Sequence, residues 1–362
     1  MTASPDPARI EDQIVRVEET MRRLQQLEDD PDLAEFKAAR RQDALRRLRG
    51  TFARPVVRLR IPTERGNFQP EIVEDVRRLG GPAIEADAGG PADLLLVQSN
   101  WALFNDYRAV LADLRAANPD ALSVILLVDN HHLYRYSAEF ARDFDIVFSA
   151  HDIGTRYLHA FNDLVFSGVP CGVKQWSGSQ AAEYFGRFEH EPRLDALYGR
   201  FVAHEGQPRN ALVESYVAAI PGGALQIRSF AEAQADYFSM GPDERFREWM
   251  RYKVSISVSV RQDMPYRLFE ALLAGQIPLV ASNVHGFDAL IGPELQRDLP
   301  VVRYADPSPE GVIRAHRRAL ELFDAGGAGA ARRRHLHALG NHLFAHRLLR
   351  IVRTLRWLSG ST

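Results

Sequence analysis

Residues 252–280 read YKVSISVSVRQDMPYRLFEALLAGQIPLV, and this stretch decides the fold. Valine or isoleucine alternates with serine from residue 254 to residue 260, which is the period-2 pattern of a strand. Apolar residues then recur with helical spacing over 266–273, and Gly275 stands where a helix-ending glycine is expected. Residues 277–280 begin a second strand. The stretch therefore predicts a strand–helix–strand unit.

Four polar residues follow the first strand of this unit: Asp263, Tyr266, Arg267 and Glu270. In open α/β sheets ligands bind at the carboxyl ends of the strands, and the N-terminus of the following helix favours an anion. We therefore expect these four residues to surround a binding site for an anionic ligand. The alternative is an ordinary packed corner between a helix and a strand.

The stretch resembles the donor-binding core of GT-B glycosyltransferases, particularly the exostosin-like and related bacterial branches. Those enzymes carry a similar arrangement of Arg, Phe-Glu-Ala-Leu, Gly and Ile-Pro-Leu/Val. Many of them bind the sugar nucleotide through two glutamates. The second falls on Glu270, where the resemblance implies binding of the ribose hydroxyls, and the first falls on Gln262, where this chain departs from the pattern. Residues 166–176, FSGVPCGVKQW, resemble the segment that leads from the first GT-B sheet to the second.

Size and composition limit the class of protein. A chain of 362 residues exceeds the length at which one core usually splits, so two domains are expected. Hydrophobic residues at 46% and charged residues at 25% are typical of a soluble globular protein, and a net charge of -2 gives no overall attraction to nucleic acid. One cysteine, Cys171, excludes an internal disulfide and a cysteine-based metal site, and it favours a cytoplasmic location. Neither a signal peptide nor an apolar run of about 18 residues is evident.

From residue 55 onwards apolar runs alternate with helical patterns, which predicts parallel sheets covered by helices on both faces. The expected fold class is α/β, with two Rossmann-like domains that face each other across a cleft as in GT-B enzymes. A helical extension at the N-terminus and a basic helix at the C-terminus complete it. The expected divisions are 1–50 for the extension, 51–170 for the acceptor domain, 171–330 for the donor domain and 331–362 for the C-terminal amphipathic helix.

The residue spacing near both ends of the chain predicts helices that carry an apolar stripe. Residues 10, 14, 17, 21 and 24 form a short seam, which predicts a helical hairpin on its own domain or a homodimer contact. Residues 331–358 carry seven arginines and no acid. We favour packing of this last helix on the protein over contact with the inner face of an anionic membrane. The glycine-rich tract 324–330 is interpreted as a linker.

His342 and His346 have the i, i+4 spacing of a metal-binding pair. No third ligand is evident near them, so a solvated helix face is the favoured interpretation and no metal site is predicted.

Polar residues follow three successive strands of the first domain: QSNW at 98–101, DNHH at 129–132 and SAHD at 149–152. Because the carboxyl ends of parallel strands meet at one edge, these residues either line a crevice or cap the adjoining turns. No Gly-x-Gly-x-x-Gly follows a strand and no P-loop motif occurs, so classical dinucleotide and P-loop sites are not predicted.

The resemblance implies transfer of a sugar from a nucleotide sugar to a hydroxyl of a carbohydrate, lipid-linked or protein acceptor, in bacterial surface polysaccharide or glycoconjugate synthesis. It implies a UDP- or GDP-linked donor and no metal or other cofactor. The expected donor-binding residues are Arg209, Asp263, Tyr266, Arg267, Glu270 and Asn283. The candidate bases that deprotonate the acceptor are Asp129, His131 and His132. Two alternatives stay open: a sugar-nucleotide epimerase of the same fold, and a non-catalytic scaffold whose donor site has decayed at Gln262.

Overall fold

The computed structural model describes residues 19, 22, 23, 26, 29–62, 71–86, 90–99, 101–131, 133–152, 155–204, 207–220, 222 and 224–360, without the side chains of 82 and 101–105. The predicted N-terminal seam and His132 lie outside the described residues. None of the described helices has the length and apolarity needed to cross a membrane.

The first sheet is parallel and has six strands in the order β2-β1-β3-β4-β5-β6. Its strands are β1 Val57–Arg60, β2 Ile84–Ala86, β3 Leu94–Gln98, β4 Leu122–Leu127, β5 Ile146–Ser149 and β6 Val165–Phe166. Every residue of β3, β4 and β5 is buried, because helices cover both faces of the sheet. The apolar runs of the sequence predicted this arrangement.

The second sheet is also parallel and has five strands in the order β11-β10-β9-β7-β8. Its strands are β7 Leu194–Val202, β8 Leu225–Arg228, β9 Tyr252–Ser257, β10 Ile277–Ala281 and β11 Val302–Tyr304. The predicted fold class is confirmed: two parallel α/β domains of the Rossmann kind face each other across a cleft.

Helices connect the strands of both sheets. Those of the first domain are α1 Pro31–Phe52, α2 Ile72–Gly80, α3 Trp101–Ala117, α4 Tyr134–Asp143 and α5 Arg156–His159, with a 3-10 turn over Gly81–Ala83. Those that follow are α6 Gly178–Phe188, α7 Arg209–Ala219, α8 Phe230–Ala235, α9 Pro242–Met250, α10 Arg267–Leu273, α11 Phe287–Leu290, α12 Pro293–Asp298, α13 Pro309–Asn341 and α14 Phe344–Leu358.

The strand–helix–strand unit at 252–280 is confirmed as β9, α10 and β10, with Val254 opposite Ile277. The serines of β9 are as buried as its valine and isoleucine, since this strand is central in its sheet and covered on both faces. Gly275 ends α10 with φ of 75°, in the left-handed region. A Cβ there would stand 2.9 Å from the carbonyl oxygen of Ala331, so the helix end also needs glycine for space.

The C-terminal region differs from the prediction in two ways. The tract 324–330 is not a linker: it lies inside α13, which Gly327 kinks with φ of 60°. The single helix predicted over 331–358 is interrupted at His342 and Leu343. There the amide of Val173 donates to the carbonyl of His342, and the amide of Phe344 donates to the carbonyl of Val173, both at 2.8 Å. An earlier segment of the chain therefore pairs with the backbone at the break.

The two helices on either side of the break, α13 and α14, pack on different domains. Ala331 and Ala338 of α13 are buried in the cores of the second domain. The apolar stripe of α14 packs into the core of the first domain through Leu348, Ile351, Val352 and Leu355. The favoured prediction, packing on the protein, is confirmed for this stripe.

The interpretation of His342 as part of a solvated helix face is wrong. The residue is buried, and its ring stacks on Phe269 with a centroid distance of 4.6 Å. Its Nε2 lies 3.0 Å from Nε2 of His337, and Arg347 contacts its Nδ1. Burial, with Arg347 and His337 as further causes, lowers the pKa of His342 well below its usual range, so the ring stays neutral and serves packing.

Candidate functional site

The cleft between the domains is lined by the carboxyl ends of both sheets, and it holds a cavity of about 200 Å³. The first domain contributes residues that follow β3, β4 and β5, and the second contributes residues that follow β7 and β9. A second cavity of about 210 Å³ adjoins it, with His151 and Met264 in the walls of both. Together they fall in the range of roughly 300–1,000 Å³ that is typical of small-molecule sites.

Two arginines place positive charge on the second-domain edge of the cleft. Arg209, at the start of α7, is buried and donates to the carbonyl of Val202. Burial, and then the neighbouring Arg267, lowers the pKa of Arg209 to about 10, which leaves the guanidinium charged at neutral pH. Arg267, at the start of α10, donates from Nε to the carbonyl of Arg200 at 3.0 Å and lies over the ring of Phe201. Both residues line the cavity, where their guanidinium groups could bind an anion.

Glu270 lies one turn further along α10 and is 1% exposed. Its Oε1 accepts a hydrogen bond of 2.6 Å from Nε2 of Gln175, whereas Oε2 has no hydrogen-bond partner among the described residues. Burial raises the pKa of Glu270 to about 7, although Arg267 and the bond from Gln175 lower it. The residue borders a small pocket that shares Arg267 and Tyr266 with the main cavity. A ligand hydroxyl could satisfy its second oxygen.

The loop after β9 makes a tight turn at the cleft. Arg261 and Gln262 both have positive φ, 52° and 66°, and the amide of Asp263 donates to the carbonyl of Val260 at 3.1 Å. Two left-handed residues within this closure are typical of a type I′ turn, and each non-glycine residue there costs roughly 1–3 kcal/mol. Arg261 then reaches the first domain, where it donates to the carbonyl of His131 at 3.3 Å and to Oη of Tyr134 at 3.0 Å. The strained turn thus contacts the opposite edge.

Asp263 closes this turn and faces the first domain. Its Oδ1 accepts from the amide of Val260, and its Oδ2 lies 3.9 Å from Nε2 of His131. Burial raises the pKa of Asp263 to about 7, against the hydrogen bond from Val260 and the charge of Arg209. Asp263 was predicted with the donor-binding residues; the structure places it beside a candidate base.

Two histidines form the facing edge of the first domain. His131 follows β4 and His151 follows β5, both are buried, and their rings meet edge to face with centroids 4.3 Å apart. The side chain of Asn130 ties the two loops together, since it donates to the carbonyl of His151 and accepts from its amide. The main chain that carries these rings is therefore fixed.

The remaining predicted residues are placed as follows. Asp129 and Tyr266 line the main cavity with Arg209, Arg267 and Asp263. Asn283 is exposed in the turn after β10 and lines neither cleft cavity. The structure thus brings together most of the residues predicted from the sequence and leaves Asn283 apart.

His151, Lys174 and Gln175 are among the residues of the site that were not predicted. His151 stood in one of the three polar strand ends, and that placement was a signal that could have selected it. Lys174 and Gln175 lie in the segment between the domains; Lys174 lines the cavity with its Nζ over the ring of Tyr266 at 5.6 Å, and Gln175 binds Glu270. No local pattern marks these two, because the contacts join residues about ninety positions apart.

No family model matches the chain, and no curated protein matches it. Among solved structures it is similar to the sucrose-phosphate synthase of Thermosynechococcus elongatus, with 14% identity, 81% of this chain and 78% of that chain covered, and a TM-score of 0.44. It is also similar to the catalytic domain of starch synthase IV from Arabidopsis thaliana, with 11% identity, coverage of 76% and 74%, and a TM-score of 0.44. A third is the spinosyn rhamnosyltransferase SpnG, with 11% identity, coverage of 83% and 99%, and a TM-score of 0.39. This is a likeness of fold.

Proposed function

We propose that the protein transfers a glycosyl group from a nucleotide sugar to a hydroxyl acceptor in the cleft. The observation that carries the proposal is the pairing of two unlike edges. One presents two arginines beside a buried carboxylate, and the other presents the imidazole of His151, which packs edge to face on that of His131, with a cavity between the two edges. A cationic edge suits a diphosphate, and an imidazole edge suits proton transfer.

The donor is proposed to bind on the second-domain edge. Arg209 and Arg267 begin α7 and α10, and both residues line the cavity. They would hold the diphosphate, and Glu270 would accept hydrogen bonds from the ribose hydroxyls through its oxygen that lacks a partner among the described residues. Tyr266 completes the wall between the two groups.

In the proposed step an acceptor oxygen attacks the anomeric carbon while the bond from that carbon to the diphosphate oxygen breaks. The electron pair leaves with the diphosphate, whose charge the arginines stabilise. The proton of the acceptor hydroxyl passes to a base on the first-domain edge, and His131 is the candidate because its Nε2 faces Asp263 of the opposite edge at 3.9 Å. The two arginines supply the charge that a divalent ion would otherwise supply, so we propose that transfer needs no metal.

The resemblance described for the sequence supports the finer parts of this proposal. They are a UDP- or GDP-linked donor, and a carbohydrate, lipid-linked or protein acceptor in surface polysaccharide or glycoconjugate synthesis.

Calorimetry with UDP and with GDP tests the proposal. We expect one of them to bind the wild-type chain, and Arg267→Ala and Glu270→Ala each to abolish detectable binding while the far-ultraviolet spectrum is unchanged. Arg187→Ala is the matched control, because this arginine pairs with Glu183 on an exposed surface of α6. Absence of nucleotide binding would instead indicate a scaffold, and donor turnover without any acceptor would indicate an epimerase. Unchanged affinity in both site variants would contradict the assignment of the donor edge.

A further inference from the structure

We propose that His131, His151 and Asp263 form a binding site for a divalent transition-metal ion such as Zn²⁺, which ties the two domains together across the cleft. One ligand atom from each of these residues lies within 4.8 Å of the other two. Two imidazoles with one carboxylate are a recurrent ligand set for Zn²⁺, and three protein ligands leave a fourth position open.

The distance between the ligand atoms of His131 and Asp263 is close to that in a loaded site. Nε2 of His131 and Oδ2 of Asp263 are 3.9 Å apart, which is too long for a hydrogen bond. Bonds from Zn²⁺ to nitrogen and oxygen are about 2.0–2.2 Å, so two ligands on a tetrahedral ion lie roughly 3.3 Å apart. A contraction of about 0.6 Å would bring this pair into place.

The surroundings of His151 suit a metal ligand. Its Nε2 lies 3.1 Å from the carbonyl oxygen of Val128, which can only accept a hydrogen bond. Nε2 must therefore carry the proton, and Nδ1 is the ring nitrogen through which His151 would bind a metal. Metal-binding histidines usually donate their other ring N–H to a carbonyl or a carboxylate, and this contact orients the ring in the same way.

The three ligands are held before any ion arrives. Asn130 fixes the main chain of His151 from the loop that carries His131, through bonds of 2.9 and 3.2 Å. On the other edge, Oδ1 of Asp263 is occupied by the amide of Val260, so that Oδ2 is the oxygen turned towards His131. Sites whose ligands are fixed in this way lose little conformational entropy on binding.

The charges around the cluster favour a nitrogen-binding metal over Mg²⁺ or Ca²⁺. Asp129 is a negative neighbour of Asp263, whereas Arg209 and Arg267 are positive ones. The net field gives little attraction to a hard cation that relies on oxygen ligands and charge. A transition metal gains its affinity from the imidazole nitrogens, and two of the three ligands are imidazoles.

Metal binding would have one consequence that rests on the proposed function. An ion bound at His131 occupies the lone pair that the base needs, so it should inhibit transfer without lowering the affinity for the nucleotide. The metal site itself does not depend on transfer, because ion binding can be measured with no nucleotide present.

The test is a titration of the full chain with Co²⁺, followed by visible absorption, with Zn²⁺ added afterwards to displace it. We expect one equivalent to bind and to give the strong visible bands of a tetrahedral site. His131→Ala, His151→Ala and Asp263→Asn should each weaken binding by at least about tenfold. His285→Ala is the matched control: this exposed histidine borders the adjoining cavity outside the cluster, and its loss should leave Co²⁺ binding unchanged.

Either of two results would overturn the proposal: a wild-type chain without the bands at millimolar Co²⁺, or a double variant His131→Ala/His151→Ala that keeps wild-type affinity. Asp263→Asn preserves the oxygen that accepts from Val260, so it remains informative where an alanine variant does not fold. Calorimetry with UDP or GDP gives a separate result, so failure of the metal site and failure of the donor site can be distinguished.

Discussion

The two edges of the cleft are built on the same kind of strand ends but are held in place differently. On the second-domain edge the side chains brace one another, as Gln175 does for Glu270. On the first-domain edge one asparagine braces the main chain, and the imidazoles project from it. Cations and a carboxylate suit binding, whereas imidazoles suit proton transfer, so the comparison predicts that nucleotide binding and turnover can be removed separately.

The first prediction, with the largest effect, concerns removal of the proposed base, which should reduce turnover and leave nucleotide binding unchanged. His131→Ala should lower kcat by about 10²–10⁴-fold, which is the usual contribution of general base catalysis. The affinity for UDP or GDP should stay within about twofold, because the residue stands on the edge opposite the arginines. Turnover at saturating donor and calorimetry measure the two quantities, with Arg187→Ala as the control. A nucleotide affinity that falls as far as kcat would show that the two edges do not act separately.

The second prediction concerns the buried carboxylate of the donor edge and the pH dependence of stability. The pKa of Glu270 is raised by burial from 4.5 to about 7. A carboxyl group whose folded pKa is raised contributes its full stabilisation below pH 4.5 and loses it as the pH rises towards 7. Glu270→Gln cannot ionise, so its free energy of unfolding relative to wild type should rise by about 3 kcal/mol between pH 4.5 and pH 8.

Urea denaturation of both proteins across this range measures the difference. Glu232→Gln is the control, since hydrogen bonds from Ser229 lower the pKa of Glu232 at the exposed start of α8 and no such rise should occur. Asp263→Asn should change in the same direction, because burial raises the pKa of Asp263 to about 7 as well. Parallel curves for Glu270→Gln and wild type would show that Glu270 ionises normally.

The sequence predicted the parts of the molecule whose cause is local. The strands of both sheets are apolar runs closed by polar or glycine residues, so β4 and the unit from β9 to β10 could be recognised without their neighbours. Three short edge strands, β2, β6 and β11, were not predicted, because two or three residues give too little pattern.

The features that the sequence did not predict depend on contacts between residues that are distant in sequence. Glycines at 326, 327 and 329 argue against a helix, and Gly327 does leave the helical conformation, but the helix resumes after the kink because Ala330 and Ala331 are buried. The break at His342 pairs with the backbone of Val173, about 170 positions earlier. The approach of Asp263 to His131 likewise joins two domains, so no local spacing could predict it.

The third prediction concerns Lys174, which lies between the two edges of the cleft, and its contribution to nucleotide affinity. Lys174 lies in the segment that connects the domains, and its ammonium group lines the cavity beside Tyr266. Lys174→Ala should weaken UDP or GDP binding by about tenfold, or roughly 1.4 kcal/mol, with little change in kcat at saturating donor. The difference from wild type should shrink at high salt, because the group is partly exposed and its charge is screened. Calorimetry at two ionic strengths measures both effects.

The last prediction concerns Asn283 and tests how far the proposed donor-binding surface extends along the second domain. Asn283 was predicted to approach the donor because it follows β10 at a carboxyl end, as Asp263 follows β9. The structure leaves its side chain exposed outside both cleft cavities. Asn283→Ala should therefore change nucleotide affinity and kcat by less than about twofold, as is usual for a surface substitution. A tenfold loss in either quantity would mean that the donor edge extends to β10 when a nucleotide sugar is bound, and that the second-domain edge is broader than the free protein shows.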